Sequence, residues 1–148
     1  MEEYIKQKFE TDYLEGIKEF IRIPSLSPLF DPEWETNKSL DKQCEHLQKF
    51  VRDQDLQGCT MHVLRDEGRT PFLIVKVAAF GDTQSKEQVL MYGHMDKQPF
   101  GEGWNTDPCD PVTIDGRLYG RGSSDDGYAL FTAVTAIKAC QAVGGSHP

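Results

Sequence analysis

A chain of 148 residues with 24 Asp and Glu against 16 Lys and Arg carries a formal net charge of −8 and has room for one domain with a buried core. With no basic run or face, this balance argues against nucleic acid or an anionic membrane as partner. No apolar run reaches transmembrane length and no charged-then-apolar leader opens the chain, so a cytoplasmic protein is expected.

Apolar residues at Ile5, Phe9, Tyr13, Leu14, Ile17, Phe20 and Ile21 recur at intervals of three and four, which predicts an amphipathic helix over residues 2–22. Pro24 ends it, and residues 23–32, with three prolines and two serines, read as a loop. A second helix is expected from Asn37 or Ser39 to Gln54, with Leu40, Cys44, Leu47, Phe50 and Val51 inward and Gly58 as its terminator. Residues 59–64 alternate as a strand does, and 72–80 form a nearly continuous apolar run suited to a sheet interior. A polar turn over 81–87 then leads into a predicted strand, 88–92. Residues 97–108 read as a Gly- and Pro-rich loop. Asp115-Gly116, flanked by residues 112–114 and 117–119, predicts a hairpin with a tight two-residue turn. A last helix is expected over 128–142, ending at Gly144-Gly145. Helices before and after a set of strands give an α/β fold, a layered sheet with flanking helices.

Cys44, Cys59, Cys109 and Cys140 lack CxxC spacing, so reduced, packed thiols are expected rather than disulfides or a zinc finger. His46 is read as lying on a polar helix face, His62 in a strand and His147 in a terminal tail. The chemistry concentrates elsewhere, in Gly93-His94-Met95-Asp96 and in Gly120-Arg121-Gly122-Ser123-Ser124-Asp125-Asp126. Neutral imidazole and carboxylate oxygens suit zinc or a similar divalent ion. A histidine delivered at a strand end sits at a sheet edge, where α/β folds collect their ligands. Asp96 could ligate directly, or accept a hydrogen bond from a ligand imidazole and orient it. Asp125 lies where a glycine-rich turn meets a helix start and could reach the same crevice. A carboxylate can bridge two cations spaced roughly 3.5–4 Å apart. The competing reading is that Asp125 and Asp126 cap the following helix. Other chemistries lack their residues: there is no GxSxG elbow, no P-loop, no HExxH, and Gly120-Arg121-Gly122 lacks the third glycine of GxGxxG.

These stretches, with Gly103-Trp104, Asp107-Pro108 and Ile23-Pro24-Ser25, resemble the M20 metallopeptidase family. That family includes carnosine-type dipeptidases, aminoacylases and succinyl-diaminopimelate desuccinylases. The resemblance covers essentially the whole chain, although Gly127-Tyr128 stands where many members have Lys-Gly. It implies a hydrolase with two zinc ions that cleaves an amide bond in a dipeptide or N-acyl amino acid. His94 would be a metal ligand, Asp125 the carboxylate shared by both ions, and Asp96 a catalytic residue supporting the site. Asp126 resembles the Asp-Asp form of the dipeptidase-like branch. A Glu-Glu pair with the general base, the remaining ligands and the lid and dimerisation domain would lie beyond Pro148. Residues 1–148 are therefore expected to be the N-terminal part of a catalytic domain, inactive alone. The alternative is a non-catalytic binding domain or a truncated gene product.

Overall fold

The computed structural model describes residues 1–83 and 85–148; Gln84, inside the expected turn over 81–87, lies outside the described residues. The first helical stretch forms in three joined pieces, α1 (Glu2–Lys8), a π-helical turn (Phe9–Tyr13) and α2 (Leu14–Arg22). Ile17, Phe20 and Ile21 are buried while Ile5 and Phe9 stay exposed, so only the C-terminal half of the apolar stripe faces the core. Ile23 takes extended angles ahead of Pro24, whose ring disfavours a helical residue before it.

After the single turn α3 (Trp34–Asn37), helix α4 (Ser39–Asp53) buries Leu40, Cys44, Leu47, Phe50 and Val51, the inward set read from spacing. It ends where expected, at Gln54, but Gly58 is not what stops it. Gln54 is the capping residue and Asp55 already has a left-handed φ of 47°, three residues before Gly58. The break is held by helix α5 (Tyr128–Ala142). The Gln141 side chain accepts from the Gln57 amide at 2.8 Å and donates to the Gln57 carbonyl at 3.1 Å. Lys138 Nζ donates to the Asp55 carbonyl.

Strands β1 (Cys59–Leu64) and β2 (Phe72–Val77) pair antiparallel, with Met61 opposite Val75 and Val63 opposite Leu73. Cys59, Met61, Leu73, Val75 and Val77 pack on the helical core, whereas Leu64 and Phe72 are exposed. The run over 72–80 is thus shorter than predicted and is one-faced rather than a sheet interior. Its partner is a hairpin strand, and helices cover one side only. The second hairpin, β3 (Val112–Ile114) and β4 (Arg117–Tyr119), forms as expected. Asp115 and Gly116 both have positive φ, 49° and 73°, the requirement of the tight turn that matches strand twist.

Residues 88–92 form no strand. Leu90 is 95% exposed and Val89, Met91 and Tyr92 are also exposed. An apolar run becomes a strand only where a neighbouring edge accepts its hydrogen bonds, and no such pairing exists among the described residues. His94 is therefore carried by an irregular segment, not by a strand end. The four cysteines are free thiols, as expected. No helix among the described residues is long and apolar enough to cross a membrane.

Phe131 of α5 is fully buried at the centre of the core. Its ring centroid lies 4.6 Å from that of Phe50, 5.9 Å from Tyr13 and 6.2 Å from Phe20, in edge-to-face contacts that join α2, α4 and α5. His46 belongs to this assembly rather than to a polar face. Its ring lies 6.0 Å from Phe131 and its Nε2 is 2.8 Å from the Gly16 carbonyl, to which it donates. Burial lowers its pKa from the ordinary 6.5, and the Gly16 bond opposes that only in part.

Two measurements check this core. Phe131→Ala should cost about 3–5 kcal/mol in urea unfolding, the range for an aromatic truncated in a packed interior. The second concerns acid. Because the folded-state pKa of His46 is depressed, the unfolded chain takes up a proton first as pH falls below 6.5, and folding stability from this residue is lost in that window. His46→Gln should flatten the difference between stabilities measured at pH 7 and in that window.

Candidate metal centre

The site is assembled from the segment holding His94 and Asp96 and the turn between β4 and α5. The segment is fastened to the loop after α2. Lys97 N–H donates to the Ser25 carbonyl at 2.8 Å, Ser27 N–H donates to the Lys97 carbonyl at 2.9 Å, and Ser25 Oγ donates to the Met95 carbonyl at 2.9 Å. Ser25 and Gln43 are both fully buried. Gln43 Oε1 lies 3.2 Å from Ser25 Oγ, while Gln43 Nε2 has no partner among the described residues. A hydroxyl has one proton and cannot donate to both acceptors. Turning the amide over lets Gln43 donate to Ser25 and Ser25 donate to Met95.

The turn is shaped by close approach. A Cβ on Gly127 would stand 2.3 Å from the Gly122 carbonyl and 2.7 Å from the Phe20 ring. One on Gly122, where φ is 88°, would stand 2.9 Å from Lys97 Cε and 3.0 Å from Phe20. Only glycine lets this loop lie flat on Phe20 and Lys97. Asp125 thereby reaches the His94 ring, with Oδ1 3.1 Å from Nε2. Asp126 accepts from the His94 backbone N–H at 3.3 Å. Neither is a helix cap: α5 starts behind Gly127 with no side-chain capping bond.

His94, Asp96 and Asp125 therefore come together as the sequence reading expects. The Nδ1 atom of His94 lies 2.9 Å from the Asp96 carbonyl and 3.3 Å from Asp96 Oδ1. A carbonyl oxygen only accepts, so Nδ1 carries the hydrogen, and in the neutral ring Nε2 is a bare lone pair. That lone pair faces the Asp125 carboxylate, which also only accepts. Two acceptors at this distance need a positive charge between them, either a proton or a metal ion. Two donors about 2.0–2.1 Å from one zinc ion at a tetrahedral angle stand about 3.4 Å apart, close to the observed spacing. The donor set thus fits a divalent ion. Among the described residues, however, no three His, Cys, Asp or Glu side chains converge to hold a metal by themselves.

Burial lowers the His94 pKa, but the Asp96 carbonyl bond, the Asp96 charge and the Asp125 carboxylate outweigh it and leave the pKa above the ordinary 6.5. Sequence reasoning missed Lys97. It is 1% exposed and donates to the carbonyls of Phe20, Ile21 and Ile23 at 2.5, 3.1 and 2.5 Å. These are acceptors at the end of α2 that have no partner within the helix. Burial pulls its pKa down to about 8, with the charge of Cys109 pulling the other way, while three carbonyl acceptors match the three donors of an ammonium. No periodicity marks such a lysine. Asp125→Asn should lower the His94 pKa by removing one of its two acidic neighbours, read from the imidazole proton shifts in an NMR pH titration.

The profile of Peptidase family M20/M25/M40 matches residues 90–148, about two fifths of the chain, a stretch that holds every candidate site residue. Beta-Ala-His dipeptidase of Homo sapiens is 29% identical over 143 residues, 94% of this chain and 28% of that protein. A Cys-Gly metallodipeptidase of Saccharomyces cerevisiae is 30% identical, over 87% of this chain and 32% of its own length. The crystal structure of human carnosine dipeptidase 1 superposes with a TM-score of 0.74 at 24% identity, covering 97% of this chain and 31% of that one. The chain spans about 30% of the length of these relatives. Residues 90–148 thus match the M20 family profile, and the mixed helix-and-sheet fold is similar to that of a portion of the carnosine dipeptidase 1 chain.

Proposed function

We propose that, as the N-terminal part of an M20-type catalytic domain, this chain supplies half of a two-zinc centre that hydrolyses the amide bond of a dipeptide or N-acyl amino acid. His94 and Asp125 are the ligands, Asp125 shared between the ions, and Asp96 orients the imidazole through Nδ1. The observation that carries this reading is the bare Nε2 of His94 facing an acceptor-only carboxylate at 3.1 Å. Such a pair is suited to a divalent cation. Zinc bound there would polarise a carbonyl and lower the pKa of a bound water. Asp126 braces the His94 backbone rather than ligating. The relatives named for Beta-Ala-His and Cys-Gly support a small peptide as substrate. Four free thiols are compatible with a reducing cytoplasm.

Two ligands are fewer than the three that catalytic zinc sites draw from protein. The residue taking a proton from the attacking water, worth roughly 10²–10⁴-fold in rate, is also absent from the residues gathered at the site. Residues 1–148 alone should therefore bind zinc weakly and leave β-alanyl-histidine and cysteinylglycine uncleaved. Zinc titration calorimetry and a dipeptide assay check this. Tight stoichiometric zinc with dipeptide turnover, abolished by His94→Ala, would show the half-site to be sufficient. Absence of any His94-dependent zinc binding, even at millimolar metal, would overturn the ligand assignment.

A further inference from the structure

Lys97 touches both halves of the site from beneath. Its backbone is bonded to the loop after α2 on both sides, at Ser25 and Ser27, one residue from Asp96 and three from His94. Its ammonium is seated on the carbonyls of Phe20, Ile21 and Ile23 and lies 4.7 Å from the centroid of the Phe20 ring. Its methylene stem forms the surface on which the Gly122 backbone lies, so close that a Cβ there would stand 2.9 Å from Lys97 Cε. The turn resting on that stem ends in Asp125. A lysine that merely satisfied the end of α2 could do so from any neighbouring loop. This one reaches the helix end from the segment that carries His94 and supports the turn that carries Asp125.

We propose that Lys97 is a positioning residue, whose ammonium, planted on the end of α2, fixes the separation between the His94 imidazole and the Asp125 carboxylate. The relevance of that separation to metal binding rests on the function proposed above; the separation itself does not. With the ammonium gone, the carbonyls of Phe20 and Ile21 lose this donor, that of Ile23 keeps only the Ser25 N–H, and the stem is no longer held down. The His94 segment and the Gly120–Asp126 turn then lose a buried support that they share, and the half-exposed contacts left between them, Asp125 on the imidazole and Asp126 on the His94 N–H, let the two shift apart. Partners that orient metal ligands from outside the coordination shell are typically worth 10–100-fold in affinity.

The test uses the 148-residue chain with Lys97→Met, similar in length but without donors, and Lys97→Gln, which retains two. Val51→Ala serves as a control that weakens the core away from the site. Crystal structures of the metal-free proteins should show the His94 Nε2 to Asp125 Oδ1 distance opening beyond hydrogen-bonding reach in Lys97→Met and less so in Lys97→Gln. It should stay unchanged in Val51→Ala. Zinc chloride, titrated by NMR at a temperature where circular dichroism shows each protein folded, should bind at least about tenfold more weakly to Lys97→Met and equally well to Val51→Ala. If Lys97→Met does not fold, Lys97→Gln carries both readouts. An unchanged separation in a folded Lys97 variant overturns the positioning role, as does an equal loss of zinc affinity in Val51→Ala. Failure of the unsubstituted chain to bind zinc, with the separation still dependent on Lys97, would overturn the metal reading and leave the positioning role standing.

Discussion

Phe20 stands where the helical core stops and the site begins, and most of the fold is referred to its ring. One edge meets Phe131, which in turn meets Phe50, so the ring inherits the position of three helices. Its other edge lies under Gly122 and Gly127, and its face receives the Lys97 ammonium. Edge-to-face packing is directional and holds a ring to a narrow set of orientations. A ring fixed in that way can serve as the floor for a glycine-rich turn, which has few contacts of its own to define it.

On that floor the electrostatics are simple. An imidazole is placed so that its protonated nitrogen is spoken for by Asp96 and its free nitrogen points at Asp125. Asp126 fixes the backbone of the same histidine, and a Cβ on the preceding Gly93 would lie 2.7 Å from Ala129 at the start of α5. The histidine is thus defined from its ring, its amide and the residue before it. Every one of these restraints comes from residues 93–129, within the segment that matches the peptidase family profile. The earlier half of the chain contributes support: the Ser25 loop, Gln43 and the end of α2.

Periodicity made the helices and the Asp115-Gly116 hairpin legible, because in each the local pattern and the observed packing agree. Residues 88–92 share the apolar character of a strand but form none, since pairing depends on a neighbouring edge that no local pattern encodes. The run over 72–80 was legible as a strand but not in its extent, because burial on one face or two is decided by what packs above it. That His94, Asp96 and Asp125 meet was legible from their chemistry and spacing. Lys97, Ser25 and Gln43 were not. Their roles arise from three-dimensional proximity to the end of a helix, and a lysine in a loop ordinarily reads as a solvated charge. His46 was misplaced for a related reason: one polar ring among polar neighbours on a helix gives no hint that a backbone carbonyl on another helix will claim it.

The exposed run Val89-Leu90-Met91-Tyr92 has a consequence for how this chain behaves in a test tube. Four large apolar side chains, on backbone without strand pairing among the described residues, face water immediately ahead of His94. Such a stretch templates strand addition by any extended peptide, including the same stretch of another molecule. The net charge of −8 keeps molecules apart at low ionic strength, but added salt screens that repulsion and leaves the stickiness intact. Colloidal behaviour will accordingly worsen with salt, with the exposed run at residues 89–92 as the apolar contact.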